Sequence, residues 1–167
     1  MKSLSSFLCL FSLCYAADTS PQKDIELLRY QGRWYEQARF ENWFERDMDS
    51  VYTDYTLSPD NTLLVLNRGV NQENELQQSK GKAVPLSDGI LGVSFVWPYR
   101  WFRAPYHILY VDPDYTAALV SGRDEAYLWL LTRERTPRQA TIDKLIQEAE
   151  RRGFDTSKLR FTRQSPD

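Results

Sequence analysis

Apolar and polar residues alternate along most of this chain, in short runs separated by turn-forming residues. A period of two marks a strand that shows one face to a core and the other to water. The segments that read this way are Trp34–Phe40, Val51–Leu57, Leu63–Gly69, Gln77–Pro85, Ile90–Trp97, Tyr106–Asp112, Thr116–Ser121 and Tyr127–Arg133. Between them stand Ser58-Pro59-Asp60-Asn61, Asn71-Gln72-Glu73-Asn74, Ser87-Asp88-Gly89, Pro113-Asp114 and Gly122-Arg123-Asp124. In such stretches Pro fixes φ, Gly and Asn accept positive φ, and Asp and Ser bond their own backbone. Eight short strands at hairpin spacing predict an up-and-down meander or a sandwich.

The period then changes. Thr136-Pro137 predicts a helix opening, with Thr as N-cap and Pro in the first turn. Ile142, Leu145, Ile146 and Ala149 follow at helical spacing, and Gly153 is a natural stop. One apolar stripe places this helix on a surface and not within a core. Leu159–Thr162 reads as a last short strand returning to the sheet edge. The stretch "QGRWYEQARFENWFER", Gln31 to Arg46, fits neither pattern cleanly. It mixes Trp34, Tyr35, Phe40, Trp43 and Phe44 with Arg33, Glu36, Arg39, Glu41, Glu45 and Arg46.

The 167 residues suffice for one domain with a single sizeable core. Met1-Lys2, the apolar run Leu4 to Leu13 and Cys14-Tyr15-Ala16 read as a cleaved secretory signal over residues 1–16, leaving a mature domain over 17–167. The run is too short to span a bilayer. Both cysteines, Cys9 and Cys14, lie in that segment, so the mature chain is held by its core and not by disulfides. A rival reading makes Cys14 a lipid-modified first residue. Leu13 stands where a small residue is expected, which favours a soluble exported form in the periplasm, with outer-membrane association left open. The formal charge is −2, with no basic stripe, and excludes nucleic acid as the expected partner. Five Trp, ten Tyr and eight Phe supply large apolar area with polar edges, which suits a cavity as well as a core.

At the start of the first strand, Gly32-x-Trp34-Tyr35 resembles the lipocalin signature. Thr53-Asp54-Tyr55 resembles its second motif and Thr132-Arg133 its third. The runs "WYEQARF", "FER", "VDPDY", "ALVSG" and "YLWLLTR" resemble the bacterial lipocalins, which are similar to apolipoprotein D. The resemblance implies an all-β fold: an eight-stranded antiparallel up-and-down barrel, closed at one end and open at the other, with a C-terminal α-helix packed outside. It also implies that Gly32, Trp34, Thr53, Asp54, Tyr55 and Arg133 are fold residues, with Trp34 plugging the closed end under Arg133. An eight-stranded barrel can hold one small ligand, and closure removes sheet edges.

If Trp34 points inward, alternation also turns Glu36 and Ala38 inward, then Val51, Thr53 and Tyr55, and Leu63, Val65 and Asn67. Later strands add Leu91, Val93 and Phe95, then Tyr106, Ile108 and Tyr110, Ala118 and Val120, and Tyr127, Trp129 and Leu131. A bulge in any strand would invert part of its set. The residues expected to meet a ligand are Glu36, Ala38, Tyr55, Val65, Asn67, Val93, Phe95, Tyr106, Ile108, Val120, Tyr127 and Trp129. Apolar walls with a few polar anchors are the make-up of a ligand pocket, although the same residues could simply fill a core. Glu36 needs a partner or a proton if it faces inward. At the mouth, Trp43 and Phe44 from one loop, and Trp97, Tyr99, Trp101 and Phe102 with Arg100 and Arg103 from another, suit a membrane surface, a lid on the barrel, or a homodimer contact.

The mature chain has one His, His107, which faces outward by parity, and no Cys. No nucleophile system, metal cluster or phosphate loop is therefore expected, and no cofactor. The resemblance implies binding, storage or transport of a fatty acid or lysophospholipid without a covalent step. Two other readings stay open: a barrel enzyme, an isomerase or hydrolase acting on an apolar substrate, and a protein-interaction module using the aromatic mouth.

Overall fold

A computed structural model describes residues 16–95 and 103–165. Residues 1–15 of the expected leader lie outside them, as do Trp97, Tyr99, Arg100, Trp101 and Phe102 of the expected mouth loop. A short helix α1 (Leu27–Tyr30) precedes β1 (Gly32–Phe40), β2 (Asp49–Leu57), β3 (Leu63–Val70), β4 (Leu76–Ser87), β5 (Ile90–Phe95), β6 (Ala104–Val111), β7 (Ala117–Ser121) and β8 (Leu128–Thr132). Helix α2 (Gln139–Arg151) and β9 (Leu159–Phe161) follow. Each strand from β1 to β8 pairs antiparallel with the next, and β8 pairs back onto β1, so the meander closes into the expected barrel. Strand β9 attaches outside, along the upper half of β1.

Two cores result. Trp34, Tyr55, Leu63, Val65, Leu91, Val93, Ile108, Val120 and Leu131 fill the barrel, joined by Tyr30 from α1. Ala38, Phe40, Leu109, Leu119, Leu128 and Leu130 face out of it, under Leu145 and Ala149 of α2 and Phe154. The helix therefore lies outside on one apolar stripe, as its sequence spacing predicts. Its opening differs: Arg138, not Thr136, is the N-cap, and no side chain caps it. Gly153, at φ +88°, makes the expected stop.

Facing is corrected in two places by bulges. The pairing of β1 with β8 slips between Glu36 and Ala38, so Ala38 packs under α2 and Arg39 turns inward opposite Trp129. The pairing of β6 with β7 slips between Ile108 and Tyr110, which sends Tyr110 outward beneath Lys144, 5.7 Å from its ring, and brings Val111 into the barrel. Each extra residue inverts the parity beyond it. His107 does face outward, with Nδ1 2.9 Å from the Thr19 carbonyl.

The β1–β2 seam is paired only from Gly32 to Tyr35. Above that, the segment after β9 bridges the gap. The Gln164 amide donates to the carbonyls of Glu36 (2.7 Å) and Val51 (2.9 Å), and Ser50 N–H donates to the Arg163 carbonyl (2.7 Å).

Candidate functional site

The closed end is built on the signature residues. Gly32 adopts φ +96°, and a Cβ there would stand 3.0 Å from the Arg133 guanidinium, so glycine is required on both counts. Trp34 is fully buried, and its indole N–H donates to the Tyr30 carbonyl at 2.8 Å. Arg133 lies 4.0 Å above the indole and donates to the carbonyls of Arg29 (2.8 Å), Arg33 (2.9 Å), Tyr30 (3.1 Å) and Tyr115 (3.1 Å). Asp54 accepts from Arg33 (2.7 Å) and Arg68 (3.1 Å) on the outer wall. Thr53, facing inward, donates to Asn67 (2.8 Å).

Above this plug lies a cavity of about 110 Å³. Its walls include Val51, Val65, Val93, Phe95, Ala104, Pro105, Trp129 and Leu131, with Glu36, Thr53, Tyr55, Asn67 and Tyr106 as polar members. At the floor the hydroxyls of Tyr30 and Tyr106 meet at 2.8 Å, and Tyr55 donates to Tyr106 at 3.1 Å. Burial raises all three phenols, Tyr55 to about 12, so they stay neutral and serve as hydrogen-bonding groups.

The mouth is covered by the β1–β2 loop. Phe44 stacks on Tyr127 at 6.1 Å and lies 6.5 Å from Trp129, which itself stacks on Tyr127 at 5.8 Å. The Glu45 carboxylate faces the cavity and accepts from the Trp129 indole (3.0 Å) and from Asn42 (2.7 Å). Trp43 remains 60% exposed, edge-on to Phe44. Arg39, fully buried, ties the loop down: it donates to the carbonyls of Glu45 (2.5 Å) and Met48 (3.3 Å) and to the Glu36 carboxylate (2.5 Å). Its Nε is the one buried side-chain polar atom without a partner among the described residues. Glu36 also accepts from the Thr162 hydroxyl. Burial, reinforced by the Glu45 carboxylate, pushes Glu36 up to about 7 against the pull of Arg39 and Thr162.

The structure thus gathers Glu36, Tyr55, Val65, Asn67, Val93, Phe95, Tyr106 and Trp129 around one cavity. Ile108 and Val120 are buried inside the barrel but outside that lining, and Ile108 borders a separate cavity of about 440 Å³ between α1 and the β4–β5 turn. Tyr127 stands at the rim behind Trp129. Ala38 is on the outer face, for the reason given by the bulge. Sequence reasoning missed Arg39, whose inward turn no residue pattern announces, and Glu45, which sits in a loop without a period. It also missed Tyr30, on a single helical turn. Among the described residues no three His, Cys, Asp or Glu side chains gather as a metal site would need.

The profile of the lipocalin-like domain matches residues 25–164. Outer membrane lipoprotein Blc of Vibrio cholerae serotype O1 is 38% identical, over 98% of this chain and 99% of that protein. The Escherichia coli K12 protein of the same name is 39% identical, over 84% and 80%. Apolipoprotein D of Macaca fascicularis is 27% identical, over 87% and 82%. Among solved structures, lobster apocrustacyanin A1 superposes with a TM-score of 0.71 at 17% identity, over 93% of this chain and 94% of that one, a likeness of fold alone. With the closed barrel, the Trp34–Arg133 plug and a family profile spanning residues 25–164, this chain belongs to the lipocalin family.

Proposed function

We propose that this chain binds, stores or carries a lipid, a fatty acid or lysophospholipid, in its barrel, as an exported envelope protein serving membrane maintenance. One observation carries the reading: an apolar cavity with a few convergent polar groups, sealed below by Trp34 and covered above by the side chains of a loop. Such a make-up fits an apolar ligand with one polar end. At about 110 Å³ the cavity is smaller than the ~300–1,000 Å³ of pockets that take drug-sized ligands, so uptake requires Phe44 to swing off Tyr127 and Trp129. The acyl chain then lies against Val65, Val93, Phe95 and Trp129, and the polar end meets Glu36, Asn67 or a tyrosine hydroxyl.

The relatives named outer membrane lipoproteins support export and an envelope location. We keep residues 1–16 as a cleaved leader, because Leu13 is a poor neighbour for a lipid-modified Cys14. Mass measurement of the exported protein tests this: a chain beginning at Ala17 is expected, and a diacylglyceryl adduct on Cys14 would reverse it.

The test of the ligand is native mass spectrometry of protein purified from exporting cells, which should carry a lipid of fatty-acid or lysophospholipid mass. Trp129→Arg should weaken displacement of a fluorescent fatty acid by about tenfold or more, since it puts a cation into an apolar wall. Unchanged affinity in a folded variant would remove this cavity as the site.

A further inference from the structure

Outside the barrel, the wall formed by β1 to β4 sets basic side chains and leucines side by side. Its register aligns Arg33, Asp54, Leu66 and Lys80 in one cross-strand row. The neighbouring rows align Thr56, Leu64 and Lys82, and Tyr35, Tyr52, Arg68 and Gln78. In these three rows the outward positions hold Arg33, Arg68, Lys80 and Lys82 against one carboxylate, Asp54, on a chain whose formal charge is −2. The row nearest the mouth, Asp49, Val70 and Leu76, adds Asp49, which is ion-paired with Arg160 and Arg163. Asp54 is already shared between Arg33 and Arg68, and Lys80 and Lys82 are exposed with no ion pair among the described residues. Leu64, 43% exposed, lies between Thr56 and Lys82, and the strip continues to the mouth through Leu76, 63% exposed, opposite Val70. Arg33 stands 4.3 Å from the centre of the Tyr52 ring and Arg135 5.2 Å from that of Tyr35.

We propose that this outer wall docks on an anionic lipid surface, side-on, with the strip from Leu64 and Lys82 to Leu76 against the head groups. Cations alternating with exposed leucines, backed by tyrosines that bridge apolar and wet layers, match an interface rich in phosphate and fatty chain. An acidic protein would meet the charges but would leave the interspersed leucines without a reason. The inference does not depend on which lipid fills the barrel, because none of these side chains faces the cavity. It differs from contact through the mouth, since it would hold the barrel wall against the bilayer with the open rim beside it.

The experiment is sedimentation of the processed chain with vesicles of phosphatidylethanolamine and phosphatidylglycerol, and with vesicles of phosphatidylcholine alone, at low and at 0.5 M salt. Binding is expected to the anionic vesicles only, and to fall at high salt. Lys80→Gln with Lys82→Gln should weaken it about 30-fold, the factor given by two cations at roughly 1 kcal/mol each. Leu64→Ser should weaken it by a smaller factor, with barrel ligand affinity and circular dichroism unchanged in all variants. Equal binding to both vesicle types, no vesicle binding, or full binding by the double lysine variant would overturn the proposal. Loss confined to a variant of Trp97 and Trp101 would move the contact to the mouth, and salt-sensitive capture of an acidic protein without vesicle binding would make the wall a protein surface.

Discussion

Two arginines and two tryptophans hold the two ends of this barrel, and they do so with opposite chemistry. At the base, Arg133 covers Trp34 and gives its hydrogen bonds to backbone carbonyls. At the mouth, Arg39 is buried beside the carboxylate of Glu36 and holds a loop whose Glu45 grips the Trp129 indole. Carbonyls do not titrate and belong to elements already fixed by the sheet. Carboxylates titrate, and a buried pair returns little of its desolvation cost. The base is thus built to stay shut, whereas the mouth is closed by contacts that a proton or a ligand can replace.

The largest effect should come from the base. Trp34→Ala is expected to cost about 3–5 kcal/mol, the range for truncating a buried aromatic, and equally at pH 5 and pH 8. Denaturant melts at the two pH values would show it; a loss under ~1 kcal/mol would strip the plug of its structural role. A smaller, pH-dependent effect belongs to the mouth. Glu36 is raised from 4.5 to about 7, so the folded protein holds a proton that the unfolded chain has released. Its contribution to stability is therefore greatest below pH ~4.5 and declines as pH rises through about 7, by on the order of 3 kcal/mol. Glu36→Gln should flatten that slope between pH 5 and pH 8. A slope identical to the wild type would mean that the two ends do not differ as described. The smallest change in stability, under ~1 kcal/mol, is expected for Phe44→Ala, since the ring is partly exposed. Stopped-flow uptake of a fluorescent fatty acid should nevertheless quicken several-fold. Unchanged uptake would free the β1–β2 loop of its role as a cover.

The strands, their turns and the outer helix were legible in the chain, because alternation, turn residues and a helical stripe are local signals that tertiary packing here reinforces. Closure was not, since the same pattern fits a sandwich, and it came from the resemblance to lipocalins. The signature residues Gly32, Trp34 and Arg133 were legible only through the resemblance to the lipocalin motifs, and the base of the barrel shows the chemistry behind them. The upper half of the site was not. Ala38 and Arg39 exchange faces through a bulge that depends on how β8 and β9 both reach β1, a long-range condition. Glu45 meets Trp129 across 84 residues of sequence, and Thr162 meets Glu36 across 126. Tyr30 completes the hydroxyl chain from a helix of four residues, too short to leave a period.

The unpaired stretch of the β1–β2 seam has a consequence for the order of events in assembly. The first two strands leave the ribosome early, yet their upper edges are stitched together by Gln164, Thr162 and Arg163. A nascent chain that has made every barrel strand still has a slit beside Glu36, where the Thr162 hydroxyl is needed. The β1–β2 seam is therefore bridged only once residue 164 is available, and a chain cut before β9 should behave as a partly unzipped sheet although every wall strand is present.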